Sequence, residues 1–230
     1  MSKIYLITGD RKGIGRNLTE YYLSLGNTVI GCSRSGSDLN HKYYEHFICD
    51  VGDEGSVKKL TSLIRKKYKK LDVLINNAGM ASMNHLLTTP TSTFDKLIHT
   101  NLKGTFLFTR ECSKLMRKNG GSIINFSTVA SPLNLEGEAI YASTKAAIEK
   151  LTRISAFELS PFNIRVNCIG PTPVYTDLIK AVPKNKIEEL LDSQAIKRLG
   201  DFNDIKNVID FYASEKSNFI TGQILYLGGV

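Results

Sequence analysis

The sequence contains no tryptophan, only six prolines and four cysteines in 230 residues, and no long hydrophobic run. A helix crossing a bilayer needs about 20 consecutive apolar residues; the apolar runs here are strand-sized, as in Ile4-Tyr5-Leu6-Ile7. Cys32, Cys49, Cys112 and Cys168 lie far apart, with no Cys-x-x-Cys pair and no companion histidine spacing. That argues against a zinc site or any other metal centre and against a disulfide framework. Reduced, mostly buried thiols are expected instead. Internal repeats, low-complexity tracts and Pro/Ser-rich linkers are also missing, so one domain spanning 1–230 is expected. No signal peptide precedes the first strand. The protein is read as cytoplasmic, with no membrane partner.

What is present is ordinary for a globular chain: 42% hydrophobic and 23% charged residues. The net charge of +8 comes from scattered lysines. The densest cluster, Arg65-Lys66-Lys67-Tyr68-Lys69-Lys70, closes an expected helix, where cations complement the helix dipole and face solvent. No nucleic-acid partner is expected. Part of the positive balance suits an anionic cofactor or substrate.

Strand-like and helix-like segments alternate throughout. Strands are expected at Lys3–Thr8, Thr28–Ser33, His46–Asp50, Val73–Asn76, Ser122–Phe126, Ile164–Ile169 and Gln223–Leu227. Most are short apolar runs of the kind buried on both faces. Helical patterns fill the gaps, among them Ile14–Leu25, Gly55–Lys69, Thr91–Arg117 and Ala139–Leu159. Such alternation predicts an α/β fold, a doubly wound and mostly parallel seven-stranded sheet with helices on both faces.

The first strand runs into Thr8-Gly9-Asp10-Arg11-Lys12-Gly13-Ile14-Gly15 and then a helix. Glycines at such a turn let backbone approach a pyrophosphate whose charge faces the helix N-terminus. After the second strand, an NAD site usually offers an acidic residue to the ribose hydroxyl. Here the chain reads Gly31-Cys32-Ser33-Arg34-Ser35, without an acid. Ser33 and Arg34, helped by Arg11 or Lys12, suit a 2′-phosphate, so NADP(H) is expected over NAD(H). Asp50-Val51 ends the third strand, where Asp50 suits an adenine amino group or a plain helix cap. Asn76-Asn77-Ala78-Gly79 follows the fourth strand. Tyr141-Ala142-Ser143-Thr144-Lys145 places a phenol and an ammonium four residues apart, on one helical face. A cation there is expected to pull the phenol's pKa down from ~10 toward working pH, fitting it for proton transfer to or from an alcohol or carbonyl oxygen.

Taken in this order and at these intervals, the motifs closely resemble the short-chain dehydrogenase/reductase family in its single-domain branch. They are Thr8-Gly9-x-x-x-Gly13-Ile14-Gly15, Asp50-Val51, Asn76–Gly79, Asn101, Tyr141-x-x-x-Lys145 and Arg165–Pro171, and the resemblance covers nearly the whole chain. It implies a single-domain Rossmann fold and an enzyme, similar to 3-oxoacyl-[acyl-carrier-protein] reductases, acting on CH–OH groups. Tyr141 would then be the general acid, Lys145 would lower its pKa and hold the nicotinamide ribose, and Asn101 would anchor a relay water. Asn77, Ala78 and Gly79 would pack beside the cofactor; Pro171, Val174 and Thr176 would approach the nicotinamide.

Two departures stand out. The family places a serine thirteen residues before the tyrosine, where this chain has Thr128, with Ser127 one position earlier. Neighbours on a strand face opposite ways, and Thr128 is assigned the substrate oxygen in preference to Ser127. Thr172 also stands where the family more often has glycine, so a differently shaped nicotinamide pocket is expected. The stretch 175–199 matches the family's substrate lid, with Lys184 and Lys186 read as solvated. Small residues Ala142, Ala146 and Ala147 on the tyrosine helix suit a homodimer or homotetramer. The reading is an NADP(H)-dependent interconversion of a ketone and a secondary alcohol, with a 3-oxoacyl thioester among the candidates. The alternative is a catalytically weak dinucleotide sensor.

Overall fold

Helices and strands alternate in the order β1 (Ile4–Thr8), α1 (Gly13–Ser24), β2 (Thr28–Ser33), β3 (Tyr44–Ile48), α2 (Glu54–Tyr68), β4 (Val73–Asn76), α3 (Thr91–Leu97), α4 (Gly104–Met116), β5 (Gly121–Phe126), α5 (Ala130–Leu133), α6 (Ala139–Leu159), β6 (Ile164–Gly170), α7 (Lys184–Ser193), α8 (Phe202–Ala213) and β7 (Ile224–Tyr226). This is a computed structural model, and it describes residues 2–174 and 184–230. The seven strands form one all-parallel sheet in the order β3-β2-β1-β4-β5-β6-β7. The chain winds outward from β1 to β3, returns to β4 beside β1, and winds outward again. The strand order therefore reverses between β1 and β4, where parallel sheets of this kind open a crevice beyond the strands' carboxyl ends.

Successive strand residues enter opposite layers, as a period of two requires. Ile4 and Leu6 join a core with Val57 and Ile64 of α2 and Leu107 and Phe108 of α4. Tyr5 and Ile7 join the other core with Leu18 and Tyr22 of α1 and Ile205 and Ile209 of α8. Each fully buried aliphatic side chain contributes roughly 1.5–3 kcal/mol. The four cysteines are buried and free. No described helix is long and apolar enough to cross a membrane.

The bounds of β2, β4 and α6 match their sequence patterns, and β1, β5, β6, β7, α1 and α2 shift by one residue at one or both ends; two other segments differ more. The third strand was expected at His46–Asp50 and lies at Tyr44–Ile48. Asp50 leaves the ladder because its carboxylate accepts from its own turn, Gly52 N at 2.9 Å. Tyr44 joins the strand because its hydroxyl and the His46 ring, two residues apart and so on one face, both meet the buried Asp10 carboxylate. The expected continuous helix Thr91–Arg117 is broken by a π-helical segment, Ile98–Lys103. Such bulges recur at functional sites, and this one contains the fully buried Asn101.

The basic run at the end of α2 closes that helix, with Arg65, Lys66 and Lys67 in its last turn and Lys69 as a left-handed cap at φ 64°. Lys67 pairs with Glu45 of β3. Asp53, not Asp50, caps the start of α2, accepting from Ser56 N at 2.7 Å.

Candidate active site

At the carboxyl ends of the strands lies a cavity of about 350 Å³. Ile14, Asn77, Gly79, Thr128, Tyr141, Lys145, Pro171 and Val174 all line it. They come from the first turn of α1, from the loops after β4, β5 and β6 and from α6, so the sheet gathers residues remote in sequence.

The glycine turn supports one end. Gly9 and Gly13 adopt φ of +72° and +59°, the left-handed region open to glycine. Gly15 lets α1 settle on the turn, because a Cβ there would fall 2.3 Å from the Gly9 carbonyl oxygen. Asn77 Nδ2 donates to the Thr8 and Gly9 carbonyls at 2.9 and 3.2 Å, and Ala78 N donates to Thr8 Oγ1 at 2.9 Å. The first turn of α1 has no side-chain cap. Its amide groups and the positive end of the helix dipole are left for an anion. These residues fit a dinucleotide pyrophosphate. Arg11, Lys12 and Arg34 are exposed around this end. Ser33 Oγ donates to the Ser35 carbonyl at 2.6 Å.

Two acids near this end carried no local signal. Asp38 pairs with Arg16, which depresses the Asp38 pKa. Asp10 is fully buried beneath the turn. It fits there because Gly31 has no side chain: a Cβ on Gly31 would lie 1.6 Å from Asp10 Oδ2. His46 links this carboxylate to the β2–β3 loop, Nδ1 lying 2.9 Å from Asp10 Oδ2 and Nε2 2.9 Å from the Ser35 carbonyl. Asp50 Oδ1 accepts from Gly52 N and faces His99 Nε2 at 3.1 Å. Val51 is buried against Gly104 of α4.

At the other end, Lys145 Nζ donates to the Phe126 carbonyl at 2.9 Å and stands 5.8 Å from the centre of the Tyr141 ring. Burial pushes this lysine down to about 8. The Tyr141 phenol was expected to be lowered by Lys145; it is instead pushed up to about 12. Burial is the main cause, the negative charge of Glu138 adds to it, and a hydrogen bond with Thr128 works in the opposite direction. The lysine ammonium, itself costly to keep charged in this setting, does not offset these effects.

Both Ser127 and Thr128 line the cavity; the Thr128 hydroxyl faces Tyr141, whereas the Ser127 hydroxyl donates to Glu149. Asn101 is drawn toward the same place: a Cβ on Gly79 would lie 3.4 Å from Asn101 Oδ1 and 3.6 Å from Lys145 Nζ. The Asn101 side chain clamps Met80, accepting from its N–H and donating to its carbonyl, both at 2.9 Å, and donates to Thr144 Oγ1 at 3.2 Å.

The loop after β6 is unstrained at Thr172, since the described non-glycine residues with positive φ are Lys69, Asn134 and Asn163. Thr172 donates its hydroxyl to Gln194 and lays its methyl against Gly200. Thr176 and most of the lid's first half lie outside the described residues. Within α7, Lys186 is not free: it pairs with Glu136 at 3.4 Å and Glu189 at 3.1 Å.

The sequence profile described as Enoyl-(Acyl carrier protein) reductase matches residues 9–229. The chain belongs to the short-chain dehydrogenase/reductase family. A 3-oxoacyl-[acyl-carrier-protein] reductase FabG of Staphylococcus epidermidis is 31% identical over all of this chain and 98% of its own length. Among solved structures, ElxO with NADP bound is 32% identical, with a TM-score of 0.89 over 99% of this chain and 97% of its own. A short-chain dehydrogenase from Leptospira borgpetersenii with bound NAD+ is 28% identical, with a TM-score of 0.91 over 100% of this chain and 92% of its own. As a short-chain dehydrogenase/reductase, the protein is an oxidoreductase that acts on CH–OH groups with a nicotinamide dinucleotide.

Proposed function

We propose that the enzyme interconverts a ketone and a secondary alcohol with NADP(H), using Tyr141 as general acid and base. The observation that carries this is the meeting of Tyr141, Thr128 and Lys145 in one cavity reaching the glycine turn. Gly9, Gly13, Ile14, Gly15, Asn77, Ala78, Gly79, Lys145, Pro171, Val174 and Thr176 would hold the dinucleotide, and Asp50 and Val51 its adenine end. The bound cofactor supplies or accepts the hydride.

A phenol held at about 12 rests protonated. During reduction Tyr141 gives its proton to the substrate oxygen, which takes a second hydrogen bond from Thr128. Lys145 keeps a cation near the phenol once it has lost its proton, and Asn101 fixes the loop after β4 beside Lys145. We expect NADPH oxidation against a panel of ketones, aldehydes and acetoacetyl thioesters to show turnover, with a loss of about ten-fold or more in Thr128→Ala from the missing hydrogen bond. Ser127→Ala should retain activity; retention by T128A with loss in S127A would reverse the assignment. The FabG likeness supports a 3-oxoacyl thioester as one panel member. An intact Tyr141–Lys145 pair weighs against a sensor, which needs no proton carrier.

The preference for NADP(H) rests on Ser33 and on exposed Arg34, with Arg11 and Lys12 across the turn, while Asp38 is taken up by Arg16. ElxO, with NADP, supports it more than the NAD+-bound neighbour does, by its higher identity. NADPH should bind more tightly than NADH, and Arg34→Ala should narrow the gap about ten-fold or more, read by titrating nicotinamide fluorescence. Equal affinities in the unaltered protein would refute the preference.

Self-association through α6 is part of the same proposal. Ile154 and Phe157 are 46% and 84% exposed on its outer face. Light scattering should give a mass of two or four chains; a single-chain mass would remove the interface.

A further inference from the structure

The substrate side of the cavity holds one polar group that neither the fold nor the proton chemistry uses. Its walls are largely apolar, with Met80, Met83, Leu133 and Leu190 among them. Of the charged side chains that line it, Lys186 is paired with Glu136 and Glu189, and Lys145 with the Phe126 carbonyl. Glu138 is different. Its Oε2 is buried and has no hydrogen-bond partner among the described residues. Burial pushes this carboxyl up to about 7.

Placement gives the group a purpose. Glu138 is the N-cap of α6, its carbonyl accepting from Ala142 N at 2.7 Å, three residues before Tyr141. Residues so spaced lie on one side of a helix, about a turn apart. The Glu138 charge is felt at the Tyr141 phenol. A substrate whose reacting oxygen meets Tyr141 therefore presents its neighbouring carbons to Glu138.

We propose that Glu138 is the specificity-determining residue of this cavity, receiving a hydroxyl that the substrate carries beside its reacting carbonyl. The preferred substrates are then hydroxyketones and the corresponding diols, rather than plain ketones. The inference rests on Tyr141 as the proton carrier. A hydroxyl is favoured over other polar groups because it serves both states of a carboxyl that titrates near neutrality. It donates to the carboxylate and accepts from the acid. A substrate carboxylate would be repelled by the ionised form, and an ammonium has nothing to offer the protonated one. A site built around a substrate hydroxyl discriminates strongly against the analogue that lacks it, because its own polar group is then left unpaired.

The test compares kcat/KM with NADPH for matched pairs: 3-hydroxybutan-2-one against butan-2-one, and 2-hydroxyacetophenone against acetophenone. The unaltered enzyme should favour the hydroxylated member of each pair, and Glu138→Leu should cut that preference about ten-fold or more. Glu138→Gln, which keeps an acceptor and a donor, should hold most of it. NADPH affinity, read by nicotinamide fluorescence, reports that each variant is folded; should the leucine variant fail to fold, Glu138→Ala takes its place. A preference unchanged in the leucine or alanine variant overturns the role of Glu138 while leaving Tyr141 in place. If NADPH binds and no carbonyl of either kind is reduced, the Tyr141 reading fails and this inference falls with it.

Discussion

Tyr141→Phe is expected to lower turnover by about 10²- to 10⁴-fold, the range that general acid–base catalysis supplies. NADPH affinity should change little, because the substitution keeps the ring that packs above Lys145. The protein should remain folded for a further reason: among the described residues, the buried phenol leaves only its Thr128 contact unmade. The sign of the pKa shift adds a second check. With its pKa pushed up to about 12, the phenol rests as the acid that reduction needs, whereas alcohol oxidation must begin from the phenolate. Oxidation should therefore accelerate as pH rises across the alkaline range, and reduction should not. The opposite pattern would mean that the phenol is already ionised at neutral pH.

Gly31→Ala should be among the most destabilising single changes in the chain. The new methyl carbon would sit 1.6 Å from Asp10 Oδ2, inside a wholly buried stretch of β2 that has no room to give. Relief requires moving the carboxylate away from Tyr44 and His46 or shifting the strand. Overpacking costs typically 1–3 kcal/mol, and stranding a buried charge about 3–5 kcal/mol. The loss should reach roughly 3 kcal/mol or more in denaturant unfolding. Asp10→Ala combined with Gly31→Ala should recover much of it, since the collision and the charge disappear together. Additive losses in the double variant would show that the two residues do not compete for this space.

These two cases also show what the sequence could reveal. The strands β2 and β4 and the long helix α6 were legible because each has a local cause: apolar runs of strand length, and an uninterrupted 3.6-residue pattern. The spacing of Tyr141 and Lys145 was legible for the same reason, since the two must share a face if the segment is helical at all. Asp10 was not. Its partners, Gly31, Tyr44 and His46, lie on two other strands, and only the folded sheet brings them under the glycine turn. Moving β3 two residues toward the N-terminus has the same origin. The π-helical break at Asn101 was hidden because its residues, Ile98 to Lys103, continue an acceptable helical pattern on both sides.

The direction of the Tyr141 shift failed for a related reason. A lysine four residues along was visible, but the depth of burial and the charge of Glu138 belong to the assembled cavity. Thr128 and Ser127 could be separated only in part by strand alternation. In the structure each hydroxyl has its own partner, Tyr141 for one and Glu149 for the other.

In the proposed reaction this cavity pairs hydride transfer with a proton carried by Tyr141. Its most direct test is isotopic: NADPH deuterated at C4, in each stereochemical form, is incubated with the enzyme and a panel of carbonyl compounds, and the products are weighed by mass spectrometry. One deuterium is expected on the carbinol carbon from one of the two forms, with the product nearly absent in Tyr141→Phe. Equal product from the phenylalanine variant would contradict it, and so would tight NADPH binding with no deuterium transferred to any compound on the panel.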